Sequence, residues 1–144
     1  MGLRRKSREY ALQMLFQWDI THDAIDTSIA TFWETLETPE PPDVMEFANA
    51  LATGTIEQVE KIDGIIQRHA DNWRMDRMAV VDRNLLRPAT HEFLTEKEKG
   101  ELPAAVIINE AIEIARRFSA EGSPQFINGI LDSIRKEIET SGAA

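Results

Sequence analysis

The sequence has 144 residues, including 16 Lys or Arg, 25 Asp or Glu and no Cys, which gives a net charge of −9. A chain of this length can bury about 70% of its unfolded surface without a disulfide or a metal, and the lack of Cys excludes thiol catalysis and Cys-ligated metal sites. No apolar run approaches the roughly 18 residues that cross a membrane, and no apolar segment of a secretory signal follows the basic N-terminus. We therefore expect a cytoplasmic protein that does not associate with membranes.

Apolar residues recur every three or four positions along most of the chain, which is the spacing of one face of an α-helix. No strand-like alternation and no internal repeat competes with this pattern. The sequence therefore predicts an all-α fold of about six or seven helices. In chain order, the predicted helices cover residues 3–20, 25–36, 43–70 and 78–95, followed by one that begins at Pro103 and one that begins at Ser123.

Proline and glycine residues mark the expected breaks between these helices. The Pro-rich stretch 38–42 predicts a loop, and Gly54 is the weakest point of the long third helix. Pro88 should kink the fourth helix or mark the start of a new one. Ser123 followed by Pro124 is typical of a helix N-cap with Pro at the first helical position.

A polar connection at residues 71–77 is the weakest point in the organisation of the chain. We expect one compact domain made of an N-terminal subdomain, residues 1–71, and a C-terminal subdomain, residues 72–144. The tail SGAA, residues 141–144, should fray.

Positive charge is concentrated in the first turns of the first helix, on an otherwise acidic chain. Four basic residues precede Glu9, and the remaining 12 basic and 25 acidic residues give residues 9–144 a net charge of −13. Cations at a helix N-terminus oppose the helix dipole, which favours a binding role over the alternative of a merely solvated helix start. We expect these four side chains to be exposed and to contact phosphates. They are Arg4, Arg5, Lys6 and Arg8.

Amide and aromatic side chains continue along the same helix. Gln13 and Gln17 could offer donors and acceptors to base edges, and Phe16 or Trp18 could offer a stacking surface. This mixture suits single-stranded nucleic acid, whose bases are accessible. Phe16 is at least as well explained as a core residue, so the residues alone leave both nucleic-acid binding and simple packing open.

The sequence gives no support for an enzyme. His91 and Glu92 begin like a zinc-binding HExxH helix, but Thr95 stands where the second His is required. A glycine-rich phosphate loop and a G-x-S-x-G nucleophile motif are also absent from the sequence. We therefore expect no catalysis, no metal and no cofactor.

Three segments, in this order, resemble the signatures of the NusB family of bacterial transcription antitermination factors. They are RRKSREYALQMLFQW near the N-terminus, VVDRNLLRPATHEFL in the middle and PAAVIINEAIEIARRFSAEGSPQFINGILD near the C-terminus. The similarity runs from about residue 4 to residue 138 and is weakest between residues 19 and 76. The resemblance implies two packed three-helix-bundle subdomains and a protein without catalytic activity.

The resemblance also implies a role on RNA. Members of the family bind the boxA element of nascent RNA, especially in ribosomal RNA operons, together with NusE, which is also a small-subunit ribosomal protein. The complex joins other Nus factors on RNA polymerase and keeps the polymerase from terminating. Some members dimerise by covering their RNA surface, so a homodimer is a further option.

Carried over by position, the resemblance implies RNA contacts in two parts of the chain and NusE contacts in a third. The residues implied to bind RNA are Arg4, Arg5, Lys6, Arg8, Gln13, Phe16, Gln17, Gly122, Gln125, Phe126 and Asn128. The residues implied to bind NusE are Asp82, Arg83 and Arg87.

The chain departs from the family pattern at two places. Family members often have an acidic and a basic residue where this chain has Gly122 and Gln125, which bears on RNA affinity. The pattern L-R-x-A-x-Y-E-L reads LRPATHEF here, with Pro88 and His91 substituted, which bears on the shape of the partner surface.

Two other functions compete with antitermination. A helical adaptor that binds proteins without RNA would suit the acidic stretch between Glu9 and Glu60, which contains no Lys or Arg. The third alternative is a fragment of an RNA-processing enzyme, because a similar helical module opens some ribosomal RNA cytosine methyltransferases. We expect this to be the weakest of the three, since no methyltransferase domain follows here. Salt-dependent RNA binding would separate the antitermination factor from the adaptor.

Overall fold

The computed structural model describes residues 2–141, with side chains described from Arg4 onward. Over that range the chain forms seven α-helices, a short 3-10 helix at Met75–Arg77 and no strand, which confirms the predicted all-α fold. The α-helices are α1 (Gly2–Thr21), α2 (Ile25–Thr35), α3 (Pro42–Glu57), α4 (Val59–His69), α5 (Val80–Lys99), α6 (Ala104–Phe118) and α7 (Ser123–Ser141). None of these helices is both long and apolar enough to cross a membrane. The tail that was expected to fray lies, beyond residue 141, outside the described residues.

The predicted long third helix is two helices, and the break lies at Gln58 rather than at Gly54. Gly54 stays helical within α3, since a Gly inside a helix costs only about 1 kcal/mol relative to Ala. The backbone leaves the helical conformation at Gln58, which has φ −119° and ψ 22°. This is where the chain passes from one core to another, because α3 packs on α1 and α2 whereas α4 packs on α5 and α7.

The first of two compact units runs as far as Glu57 and is a three-helix bundle of α1, α2 and α3. Its core is built around three aromatic rings, those of Tyr10, Phe32 and Trp33, whose centroids lie 5.0 to 5.4 Å apart in tilted or edge-to-face arrangements. The indole N–H of Trp33 donates to the Asn49 side-chain oxygen at 2.7 Å, so its polar atom is satisfied. This core fixes the face that α1 turns to solvent.

The second unit begins at Gln58 and contains α4 to α7 together with the 3-10 helix. This division differs from the predicted subdomains 1–71 and 72–144, because α4 packs on α5 and α7 and therefore lies with the C-terminal helices. The unit consequently has four α-helices where three were expected. Its fully buried large apolar side chains are Ile62, Ile66, Leu86, Ile107, Ile114, Ile127, Leu131 and Ile134.

Pro88 lies inside α5, which runs without interruption from Val80 to Lys99, so the predicted new start at this residue is not observed. A proline in a helix interior removes one backbone hydrogen bond and crowds the preceding turn. Residues 84–90 are all buried, which means that packing on both sides of α5 offsets that loss. Gly100 ends the helix in the left-handed conformation with φ 66°, as expected of a glycine terminator.

Candidate nucleic-acid interface

The basic residues at the start of α1 fall into two groups. Arg4 and Lys6 are exposed, as predicted, whereas Arg5 is half-buried and Arg8 is only 9% exposed. The guanidinium groups of Arg4 and Arg8 lie 4.3 and 5.3 Å from the ring centroid of Phe47 on α3. The expectation that all four side chains are exposed therefore holds for Arg4 and Lys6, holds only in part for Arg5 and is wrong for Arg8, whose side chain packs against the bundle with its cation near the Phe47 ring.

Lys6 is held by a carboxylate of the loop between α2 and α3. Its ammonium group lies 2.9 Å from a carboxylate oxygen of Glu40, and the Tyr10 hydroxyl donates a short hydrogen bond to the same oxygen. The hydrogen bonds from Tyr10 and from Lys6 lower the pKa of Glu40, and the hydrogen bond to Glu40 raises the pKa of Lys6. Glu40 would thus compete with a phosphate for this lysine, whose side chain is still 50% exposed.

The pairing of Lys6 with Glu40 leads to a prediction. Replacing Glu40 with Gln keeps an acceptor for Tyr10 but removes the charge that competes for Lys6, so RNA binding should tighten by about two- to fivefold at low salt, the range expected of one exposed ion pair. Asp43→Asn, at an exposed position at the start of α3, makes the same change in net charge and is the matched control. Fluorescence anisotropy with labelled RNA measures both variants. Equal gains for the two would show that only net charge matters.

Further along α1, a second group of predicted residues forms a polar and aromatic face. Gln13 is exposed, Gln17 is half-buried and the Phe16 ring is 40% exposed, so Phe16 is a surface residue and the alternative that it belongs to the core is excluded. Their spacing of three and four residues places them on one side of the helix. Ile20, one turn further, is 54% exposed and extends the apolar part of this face.

The predicted residues of the second unit lie on the loop before α7 and on its first turns. Gly122, Gln125 and Asn128 are exposed, and Phe126 is half-buried. The Phe126 ring meets the indole of Trp73 edge to face, with the ring centroids 5.6 Å apart and the planes at 76°. Trp73 is not recognisable as a site residue from the sequence, because 52 residues lie between it and Phe126 along the chain.

Asp82 is buried, at 6% exposure, and joins three elements of the second unit. Its carboxylate accepts a short hydrogen bond from the Ser119 hydroxyl and one of 2.9 Å from the Ser123 hydroxyl. Ser123, predicted as an N-cap, is the first residue of α7 and directs its side chain to Asp82 instead. The structure therefore gives Asp82 an internal role, that of tying the start of α5 to the loop before α7, in place of the surface role predicted for it.

Arg87 is also internal, at 7% exposure. It donates to both carboxylate oxygens of Asp63 on α4 at 2.8 and 3.0 Å and to the Asn84 side-chain oxygen at 2.9 Å. Such a two-pronged pair fixes α4 against α5. Arg83 is half-buried, and one of its guanidinium nitrogens donates to the Met75 carbonyl at 3.1 Å. Of the three residues predicted to bind a partner, only Arg83 therefore keeps part of its surface in contact with solvent.

Comparison with known proteins identifies the family. The NusB family model matches residues 5–136, which is most of the chain. The chain belongs to the NusB family. A transcription antitermination protein NusB from Koribacter versatilis is 49% identical over 138 residues, covering 96% of this chain and 92% of that protein. The family resemblance seen in the three sequence segments is thereby confirmed.

Solved NusB structures share the fold. A T. maritima NusB is 38% identical, with a TM-score of 0.82 over 93% of this chain and 91% of that chain. A chain from the crystal structure of the antitermination factors NusB and NusE in complex with dsRNA is 25% identical, with a TM-score of 0.84 over 95% of this chain and 98% of that chain. The NusB-like helical architecture expected from the sequence is thus confirmed.

Proposed function

We propose that this chain is a transcription antitermination factor that binds boxA-type single-stranded RNA of nascent ribosomal transcripts together with NusE. The observation that carries the proposal is the exposed surface of α1, where Lys6, Gln13 and Phe16 lie on one side of the helix and Arg4 adds an exposed cation in the first turn. Basic side chains contact phosphates, whereas aromatic and amide side chains contact bases. The NusB family, to which the chain belongs, is one of antitermination factors and not of enzymes, in agreement with the expected lack of catalysis.

Single-stranded rather than duplex RNA is favoured by the exposed aromatic surface. In an A-form duplex the bases are stacked on each other and the deep groove is closed to side chains, whereas unpaired bases can stack on an aromatic ring. Phe16 is 40% exposed, which leaves its ring accessible to an unpaired base. A solved relative was crystallised with NusE and dsRNA, so binding must be measured with one sequence in both single-stranded and duplex form.

NusE binding is supported by that same relative and by the charge of the chain. Residues 9–144 carry a net charge of −13, which favours association with a basic ribosomal protein. Through this complex the protein would join other Nus factors and RNA polymerase in the bacterial cytoplasm. A homodimer that covers the RNA-binding residues is an alternative state, and light scattering with and without RNA would detect it.

The salt dependence of RNA binding tests the proposal directly. In the double variant Arg4→Ala/Lys6→Ala, two phosphate contacts are lost, so affinity should fall for every RNA sequence. The slope of log K against log salt should become less steep by about 1.4, at about 0.7 per phosphate for a single strand. The double variant Lys97→Ala/Lys99→Ala removes two exposed charges at the end of α5 and should leave the slope unchanged.

Two outcomes would contradict this proposal. A wild-type protein that binds no boxA-type RNA at low salt, with or without NusE, would leave the protein-binding adaptor as the better description. Equal slopes for the α1 variant and the α5 control would show that the phosphate contacts lie elsewhere.

A further inference from the structure

Trp73 is the most exposed of the large apolar side chains in the described part of the chain, at 56%, and it follows α4. Its only aromatic neighbour among the described residues is Phe126, which meets it edge to face. In such a pair one ring presents its edge to a face of the other. Whichever ring supplies the edge, at least one face of the indole is not covered by Phe126. A flat aromatic surface is therefore open to solvent beside a residue predicted to bind RNA.

The backbone that carries this indole is fixed on both sides. The Gln67 side chain donates to the Trp73 carbonyl at 2.8 Å and accepts from the Met75 backbone N–H at 2.9 Å. The Trp73 N–H donates to the Ala70 carbonyl at 2.8 Å, and Met75 is buried. A surface side chain on a loop held in this way loses little conformational freedom when a ligand covers it, which makes it well suited to binding.

The surroundings of the indole suit a nucleotide. Arg74 follows it directly in the chain, and its guanidinium, 69% exposed at the side chain, donates to the Asp76 carboxylate at 2.9 Å in an exposed ion pair that costs little to break. Gln125 is exposed next to Phe126 in the first turn of α7. A stacking ring, a neighbouring cation and a neighbouring amide are the three kinds of contact that a single unpaired nucleotide uses. A protein partner would also cover an apolar ring, but would not require a flat one.

We propose that Trp73 is a base-stacking residue that receives one unpaired base of the RNA on its open face, and that Gln67 is a positioning residue for it. The inference rests on the proposed function and extends it to a residue outside the set implied by the family resemblance. Phe126 then holds the indole in place through the edge-to-face contact, in addition to any contact that Phe126 itself makes with the RNA.

Two substitutions separate stacking from packing. Trp73→Leu keeps apolar bulk against Phe126 but removes the flat ring, and should weaken binding of a boxA-type RNA oligonucleotide about 5- to 150-fold, the loss expected of one base stack. Trp73→Phe keeps a ring and should lose much less. The salt slope should stay the same in both variants because no charge changes. Thermal unfolding checks that both remain folded at the binding temperature.

Changes in the RNA and in Gln67 complete the experiment. An oligonucleotide with an abasic site at the stacked position should bind wild type and Trp73→Leu equally, and scanning the abasic site along the RNA identifies that position. Gln67→Ala should weaken binding in wild type but not in the Trp73→Leu background, a result that a purely structural role of Gln67 would not give.

Several results would overturn the inference. If wild type binds RNA and Trp73→Leu binds it equally well, Trp73 is not a stacking residue, while the proposed function stands. If Trp73→Leu weakens NusE binding in the absence of RNA and leaves RNA affinity unchanged, the ring belongs to a protein interface. If wild type binds no RNA, both the inference and the proposed function fail.

Discussion

Replacing Asp82 with Ala should lower the free energy of unfolding by about 3 kcal/mol. The carboxylate is buried and accepts hydrogen bonds from the hydroxyls of Ser119 and Ser123. A hydrogen bond to a charged group contributes about 1.5–3 kcal/mol, and a buried hydroxyl left without its acceptor adds a desolvation cost. The Ser119 and Ser123 hydroxyl oxygens lie 2.9 Å apart, so once the carboxylate is gone one hydroxyl can donate to the other, and part of this second cost is avoided.

Urea unfolding measures this loss, provided that the variants unfold with equal m-values. Asp76→Ala is the matched control, because that carboxylate is 63% exposed and Arg74, with which it forms an ion pair, is also exposed. It should change stability by less than about 1 kcal/mol. Asp82→Asn, which retains one acceptor oxygen, should fall between the two. A midpoint for Asp82→Ala equal to that of the control would show that the two hydroxyls gain nothing from the carboxylate.

Asp82 should also affect RNA binding without touching RNA. The two serines that it holds flank Gly122, and the Phe126 N–H donates to the Gly122 carbonyl at 3.4 Å. Loss of the carboxylate would release the loop that positions Phe126. The same variant can therefore weaken both folding and RNA affinity, and these effects are separated by measuring binding at a temperature where the variant is fully folded.

The helical pattern of the sequence was sufficient to predict the fold class and most helix positions. Apolar spacing reports which face of a segment is buried, and that information is local. Apolar spacing does not report which core receives the face, so the pattern predicts one helix over 43–70 with its weakest point at Gly54, whereas the structure has two helices separated at Gln58. The new helix start considered at Pro88 is not observed for the same reason, since the packing around residues 84–90 that holds α5 together comes from distant segments.

The features of the candidate site that depend on residue type can be predicted from the sequence. The features that depend on contacts between residues distant along the chain cannot. Positive charge at the start of α1 and the helical spacing of Gln13 and Phe16 are visible in the sequence. The cation–π contact of Arg8 with Phe47 and the ion pair of Lys6 with Glu40 each join residues more than 30 positions apart. The pairing of Trp73 with Phe126 and the burial of Asp82 are of the same kind, so they emerge only from the tertiary structure.

NusE and RNA should bind this protein cooperatively, each increasing the affinity of the other about 5- to 150-fold, which corresponds to about 1–3 kcal/mol of coupling. Of the four basic residues at the start of α1, only Arg4 and Lys6 are exposed, and Lys6 is paired with Glu40. Few phosphate contacts are therefore available to the protein alone, and its own RNA affinity should be modest. A basic ribosomal protein beside it would lengthen the positive track along the RNA.

Fluorescence anisotropy with labelled RNA, with and without saturating NusE, gives the first factor, and titration of NusE with and without RNA gives the second. Linkage requires the two factors to be equal. Because Asp82 and Arg87 are buried, Arg83 is the predicted partner residue to test: Arg83→Ala should weaken NusE binding without RNA, whereas Arg77→Ala, at an exposed position nearby in the chain, should not. Equal losses for these two variants would remove Arg83 from the interface. Equal RNA affinity with and without NusE would exclude cooperative binding altogether, and would leave the basic face of α1 to hold the RNA unaided.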